Sequence, residues 1–372
     1  MAGPLAGLKV VELARILAGP WIGQVLADLG AEVIKVEAPE GDDTRRWGPP
    51  FIERDGDRSA AYFYAANRGK SSVVADFRTE EGRQRVRDLV AEADILVENF
   101  RRGGLGKYGL DYDSLKALNP RLIYCSITGF GQTGPYADRA GYDFLIQGMS
   151  GLMSITGEPG GQPQKVGVAV TDVLTGLYGA IGILAAVEQR HVTGRGQHID
   201  MALLDCAVAA MANQAMNYLV TGQSPMRQGN SHPNIAPYQV FATADGHVIV
   251  AVGNDGQFGR LCDVLGLDGL PADPRFAENS SRVQNRDALT DLLSAALAGW
   301  TSAALLEALE RALVPAGPIN SMEQVFADPQ VAARGLRIAP EGVPGVRGPW
   351  RFSEAELSFE RSAPRLGAAK AT

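Results

Sequence analysis

The sequence predicts an α/β protein of two domains, a large one built on a parallel sheet and a smaller one of α+β type. Three observations carry that expectation. With 372 residues the chain is longer than one typical compact domain and can bury two cores. Its first half alternates short β-branched runs with amphipathic stretches, which is the order of a βαβ sheet whose helices cover both faces. From about Gln223 the texture changes to a hairpin signal followed by three helical stretches.

Taken in order, residues 8–13, 32–36, 72–76, 95–98 and 122–128 read as strands, and 21–29, 80–93 and 112–118 as helices between them. That alternation is Rossmann-like. The GxGxxG fingerprint is missing after the first strand, where the chain reads Ala14-Arg-Ile-Leu-Ala-Gly-Pro20, so a nicotinamide dehydrogenase loses its main support. After Gly129 the pattern turns helical over 143–154, 173–192 and 201–220. The 173–192 stretch is apolar nearly all round and should be buried, and a subunit contact is one way to bury it. Residues 239–243 and 247–252 flank Ala244-Asp-Gly246, a strong hairpin signal. Helical stretches at 255–265, 286–298 and 302–313 follow, then a tail rich in Gly and Pro from Val314. The expected domains are 1–222, rejoined by 315–372, and 223–314.

Composition narrows the function. Hydrophobic content of 45% and charged content of 21% are ordinary for a globular protein. A net charge of −7 argues against a nucleic-acid partner, which needs a cationic surface. Any anionic ligand must therefore meet local positive charge. Cys125, Cys206 and Cys262 form neither a CxxC pair nor a disulfide framework, which suits a reducing compartment. The N-terminus lacks the pattern of a signal peptide, and no run approaches about 18 apolar residues. The expectation is a cytoplasmic protein without a membrane partner. His191, His198, His232 and His247 are scattered without metal-ligand spacing, so no metal is expected. No GxSxG elbow anchors hydrolase chemistry.

Three loops carry candidate chemistry. Val97-Glu-Asn-Phe100 follows a strand, where open α/β sheets bind ligands, and Arg101, Arg102 and Lys107 come next. On spacing alone these are more readily the marks of a solvated charged turn. Ala75-Asp-Phe-Arg78 ends the preceding strand in the same way, and two such loops on one sheet edge suit a phosphate-bearing ligand. Gly129-Phe-Gly-Gln-Thr-Gly134 is either a plain turn or a place where backbone approaches ligand closely. Asp172 falls at the start of the long apolar helix. It can cap that helix, and the free N–H groups and dipole there should keep it ionised, as a carboxylate nucleophile must be.

Several stretches together resemble the family III CoA-transferases, the group that includes formyl-CoA transferase and carnitine CoA-transferase. They are Leu17-Ala-Gly-Pro20, Gly30-Ala-Glu-Val-Ile-Lys-Val-Glu37, Val97-Glu-Asn-Phe100, Ala140-Gly-Tyr-Asp143 and Thr193-Gly-Arg-Gly-Gln197, followed by Val314-Pro-Ala-Gly-Pro318 and Asp328-Pro-Gln330. The resemblance implies a ring-like subunit, an interlocked homodimer, and coenzyme A and acyl-CoA as substrates with no permanently bound cofactor. It makes Asp172 the catalytic aspartate, which attacks an acyl-CoA thioester to give a mixed anhydride and then a β-aspartyl-CoA thioester. It places Ile16, Leu17, Ala75, Asp76, Phe77, Arg78, Asn99, Phe100, Lys107, Tyr142 and Asp143 at the CoA site. Ala38 departs from an arginine that formyl-CoA transferase has there.

The same fold hosts α-methylacyl-CoA racemases. Their histidine position is Tyr142 here, and a phenol with a pKa near ~10 is a poor acid or base near neutral pH. Asp172 likewise argues against a non-catalytic CoA-binding relative. The stretches at 123–135 and 236–239 resemble the succinyl-CoA:glutarate type more than the formyl/oxalate type, and Gly229-Asn-Ser-His-Pro233 stands where formyl-CoA transferase has a polyglycine lid. A free carboxylic acid, a dicarboxylate such as glutarate, is then the expected acceptor. Its far carboxylate needs a cation, for which Arg45, Arg46 and His232 are the candidates.

Overall fold

The computed structural model describes residues 2–369. The chain divides into two compact units. One holds the chain up to Leu152, Lys165–Gln223 and the chain from Pro329, and the other holds Met153–Gln164 and Ser224–Asp328.

The first unit is built on strands β1 (Lys9–Glu12), β2 (Glu32–Glu37), β3 (Phe51–Arg54), β4 (Asp57–Ala60), β5 (Ser71–Val74), β6 (Ile95–Glu98), β7 (Ile123–Thr128) and β8 (His198–Ala202). Six of them form a parallel sheet in the order β5-β2-β1-β6-β7-β8. The order reverses between β1 and β6, which is the switch point where open α/β sheets open a crevice. Register places Val10 between Val33 and Ile95, and Ile95 against Ile123. These residues are all buried, as both faces of a parallel sheet are covered. On one face lie helices Ala18–Asp28 and Val170–Thr193 around Ile22, Val97, Ile127 and Ile183. On the other, Val86 and Val90 of Glu80–Ala91 and Leu115 of Tyr112–Leu118 meet Val11, Leu96 and Tyr124.

Local signals set the ends of these elements. Thr79 accepts from Gly82 N at 3.0 Å to start the Glu80–Ala91 helix, with Glu80 and Glu81 in its first turn. Gly194, at φ 69°, ends the Val170–Thr193 helix.

All five expected strands lie in the sheet, but its sixth member does not follow expectation. The stretch read as one helix over 201–220 contributes Met201 and Ala202 to β8, then helices Leu203–Ala209 and Ala212–Thr221. Helix-like periodicity in an edge strand followed directly by a helix conceals the boundary. The β3–β4 hairpin was not expected, although Asp55 and Gly56, at φ 49° and 80°, form its turn.

In the second unit β9 (Tyr238–Ala242) and β10 (His247–Ala251) pair across the expected Asp-Gly turn. β11 (Ala316–Pro318) adds to β10, so this unit continues past Val314, where the sequence placed its end. Helices Asp255–Leu265, Arg286–Leu297 and Ser302–Arg311 close its core around Phe258, Leu293 and Leu305. Residues 153–164 also belong here rather than to the large unit, because Gly229 N donates to Gly157 O at 3.1 Å and Arg227 Nη2 to Gly161 O at 2.7 Å. Back in the first unit, β12 (Arg337–Ile338) and β13 (Gly345–Val346) pair antiparallel. The returning chain lies along the sheet edge, where Ala369 N donates to Ser72 O at 2.9 Å.

Candidate active site

A cavity of about 680 Å³ opens in the first unit at the carboxyl ends of β1, β6 and β7. Arg15 to Ala18 enter it from the turn after β1, and Asn99 to Arg102, Gly104, Lys107 and Tyr108 from the loop after β6. Thr128 and Gly129 come from the end of β7, followed by Arg139 to Tyr142, with Asp172 and Trp47 completing the wall. Two glycines let these segments meet. A Cβ on Gly129 would lie 2.5 Å from the Gly141 Cα, and one on Gly141 2.4 Å from the Gly129 Cα, so main chain packs on main chain there.

Asp172 sits in the first turn of the Val170–Thr193 helix, which begins three residues earlier than its apolar run suggests. It is not the cap. Asp143, from the Asp143–Met149 helix, takes that role across the fold, accepting from Thr171 N at 2.8 Å, Thr171 Oγ1 at 2.6 Å and Asp172 N at 3.4 Å. Buried Gln147 donates to the other Asp143 oxygen at 2.8 Å and accepts from Val166 N at 2.9 Å. The carboxylate of Asp172 therefore has a fixed base beneath it but no hydrogen-bond donor of its own among the described residues.

Burial, and then the charge of Asp143, push Asp172 up to about 7. The expectation of a carboxylate held ionised by the helix start is thus reversed, because desolvation and a like charge outweigh the helix dipole. Tyr62 stands close enough that its phenol is raised by burial and then by Asp172 and Asp143. It packs edge-on against Trp47 at 5.5 Å.

The cavity wall is cationic in a chain of net charge −7. Arg15 pairs with Asp43 at 3.1 Å and Arg102 with Asp138 at 3.2 Å. Lys107 lies over the Tyr108 ring at 4.8 Å and Arg139 over Tyr136 at 3.8 Å. Arg101, Lys107 and Arg139 have no carboxylate partner among the described residues.

Of the residues singled out in the sequence, Ile16, Leu17, Asn99, Phe100, Lys107, Tyr142 and Asp172 line this cavity. Asp143 acts from behind it. Ala75 to Arg78 do not line it. Phe77 backs the Phe100 ring at 6.0 Å, while exposed Arg78 pairs with Asp76 at 2.8 Å.

The three candidates for a substrate carboxylate fare differently from expectation. Arg45 is buried and already bidentate to Glu37 at 2.8 Å through Nε and Nη2, and it stacks on Phe63 at 3.7 Å, so its charge is consumed in the fold. Arg46 is exposed, pairs with Asp43 at 2.8 Å and donates to Glu40 O at 2.8 Å. His232 belongs to the second unit, where its Nδ1 accepts from Asn234 N at 3.1 Å. Burial and then Arg286 lower its pKa, which makes it a weak source of positive charge. Sequence reasoning missed Arg15, Trp47, Tyr62, Tyr108 and Arg139. Only Arg15, directly after a strand, carried a local signal.

A Rossmann-like sheet with a cationic crevice at its switch point and a carboxylate on a helix start is an arrangement suited to anionic substrates and carboxylate chemistry. The family follows from comparison with known proteins: a model of CoA-transferase family III matches residues 5–370, and the chain belongs to that family. It is 60% identical to the succinate–glutarate CoA-transferase of Agrobacterium fabrum, over 98% of this chain and 93% of that one. It is 43% identical to the human succinyl-CoA:glutarate CoA-transferase, over 98% of this chain and 84% of that one. The crystal structure of a CaiB/BaiF family protein from Brucella suis superimposes with a TM-score of 0.90 at 64% identity, covering 99% of this chain and 97% of that one. The chain is a CoA-transferase, as the sequence motifs implied.

Proposed function

We propose that this enzyme moves CoA from succinyl-CoA to a dicarboxylate such as glutarate, with Asp172 as the covalent carrier and the cationic cavity as the CoA site. The carrying observation is Asp172 itself: a carboxylate in the cavity wall, without a hydrogen-bond donor among the described residues, on a helix start that Asp143 pins. Both relatives quoted above are named for succinate or succinyl-CoA and glutarate. Arg101, Lys107 and Arg139, which have no carboxylate partner among the described residues, suit the phosphates of CoA.

In this reading an Asp172 oxygen bonds to the thioester carbonyl carbon and the C–S bond breaks, leaving a mixed anhydride and CoA thiolate. The thiolate attacks the Asp172 carbonyl, forming the aspartyl-CoA thioester and releasing succinate. The acceptor carboxylate then attacks that thioester and expels the thiolate. Finally the thiolate takes the new acyl group, and Asp172 returns as carboxylate. No net proton is needed. A desolvated carboxylate with a raised pKa is the stronger nucleophile once ionised.

Racemisation is the weaker reading. Tyr142 is 67% exposed, and a phenol is a poor proton carrier near neutral pH. The enzyme works in the cytoplasm as an interlocked homodimer of ring-like subunits, as the family resemblance implies. Support for a dimer comes from apolar surface: less than half of the most apolar stretch of Val170–Thr193, 44%, is buried within the chain, and the Ala212–Thr221 helix buries no residue. The test combines substrate and label. Acyl-CoA donors are paired with mono- and dicarboxylates, and the protein is treated with acyl-CoA and then hydroxylamine or borohydride. CoA transfer to glutarate and modification of the Asp172 peptide are expected. Label on another residue, or α-proton exchange without an acceptor, would overturn the reading.

A further inference from the structure

The turn that leaves β1 is held in a shape its sequence does not favour. Ile16 has a φ of 73°, in the left-handed region where a β-branched side chain crowds its own backbone. Such a residue persists only where its surroundings over-determine it. Here three side chains, distant in sequence, grip three consecutive residues. Lys35 Nζ donates to Ala14 O at 2.8 Å. Asn99 accepts from Arg15 N at 2.8 Å and donates to Arg15 O at 2.6 Å. The Asp42 carboxylate accepts from Ile16 N at 3.3 and 3.4 Å.

The grips are themselves anchored. Lys35 and Asp42 pair at 2.9 Å with both side chains fully buried, and Lys35 reaches Glu12 at 3.1 Å. Asp42 also accepts from Thr44 N and Oγ1 at 3.0 and 2.7 Å. The turn they hold supplies Ile16 and Leu17 to the cavity wall. Asn99 lines the same cavity, yet both of its polar atoms are engaged by the main chain of Arg15.

We propose that Asn99, Asp42 and Lys35 are positioning residues, a clamp that fixes the Arg15–Ile16 turn in the left-handed shape in which the cavity accepts the CoA thioester. This rests on the assignment of the cavity to CoA. A wall fixed in advance needs no ordering when the ligand arrives, so loss of the clamp weakens CoA binding more than it slows the covalent steps at Asp172. Asp42 and Lys35 are unsuited to substitution, because removing either leaves its partner charged and buried. Asn99 is only half-buried and neutral, which makes it the residue to change.

The experiment compares Asn99→Ala, Ile16→Gly and the double variant by amide exchange over residues 14–17, calorimetric titration with CoA, and steady-state kinetics. Lys107→Ala serves as a separate probe of the cavity. Asn99→Ala should speed exchange at Arg15 and Ile16 and raise the CoA Kd roughly tenfold, the scale of losing two hydrogen bonds. It should raise KM for acyl-CoA by a larger factor than it lowers kcat. Glycine adopts the left-handed turn without help, so Asn99→Ala should cost distinctly less affinity in the Ile16→Gly background. Unchanged exchange, or strictly additive effects on Kd, would overturn the clamp. Faster exchange with an unchanged Kd would overturn its role in binding. In that event a weakened Lys107→Ala leaves the cavity assigned to CoA, whereas an unchanged Lys107→Ala shows that the cavity assignment has failed as well.

Discussion

A carboxylate that burial and Asp143 push up to about 7 is largely neutral in mildly acidic solution, and only its ionised form can attack a thioester. In the free enzyme kcat/KM should therefore fall as pH drops through about 7. Asp143→Asn removes the like charge while its side-chain oxygen can still accept from Thr171, so the acid limb should move to lower pH. It should stay above the ordinary carboxylate range, because burial remains. A pH profile of kcat/KM for both proteins checks this, and an unmoved limb would assign the ionisation to another group. The same shift bears on stability. A carboxyl raised in the fold from an unfolded value near ~3.9 contributes fully below that value, and its contribution is lost as pH rises through about 7. Asp172→Asn carries no charge to bury. It should be nearly inactive, yet melt at a higher temperature than wild type at pH 8, with the difference gone near pH 4.

At the scale of elements, the long helix bearing Asp172 reaches its place by close packing on Ala18–Asp28. A Cβ on Gly176 would lie 2.9 Å from Trp21 Cβ and 3.0 Å from Ala18 O, so Gly176→Ala must separate the two helices. Overpacking of this kind costs about 1–3 kcal/mol. Gly182 on the same helix would place its Cβ 3.6 Å from Ile199 Cγ2, an ordinary contact, and Gly182→Ala should be neutral or stabilising by up to about 1 kcal/mol through helix propensity. Denaturant midpoints of the pair separate packing from propensity, and equal effects would contradict the packing argument. The Gly129–Gly141 approach predicts a functional counterpart. Gly129→Ala should displace the 139–142 segment from the cavity wall and lower kcat/KM by roughly 100-fold, the scale of a misplacement near 1 Å.

For the whole molecule, the exposed apolar residues of the first unit set the expectation. Ile181 is 62% exposed and Leu219 71% exposed, each on a helix face that the described residues leave open. The proposed homodimer would cover such surface. Sedimentation should show a dimer for wild type. Ile181→Glu combined with Leu219→Glu should shift it toward monomer, because burying two carboxylates without partners is unfavourable. A dimer unaffected by both changes would place the interface elsewhere.

The sequence by itself determined the α/β class, five of the six sheet strands, the second unit's hairpin and the family. Each rests on signals that are local in the chain: alternation of β-branched residues, an Asp-Gly turn, and short motifs in a fixed order. What lay outside local reach was decided by the tertiary structure. Arg45 and Arg139 look alike as arginines in polar loops, but only folding brings Glu37 to the first and leaves the second facing the cavity. The same holds for Asp172, whose place at a helix start promised a low pKa until burial and Asp143 reversed it. The turn at Ile16 depends on Asn99, 84 residues from Arg15. Periodicity and turn chemistry are properties of neighbours in sequence, whereas charge pairing, desolvation and backbone strain are set by neighbours in space.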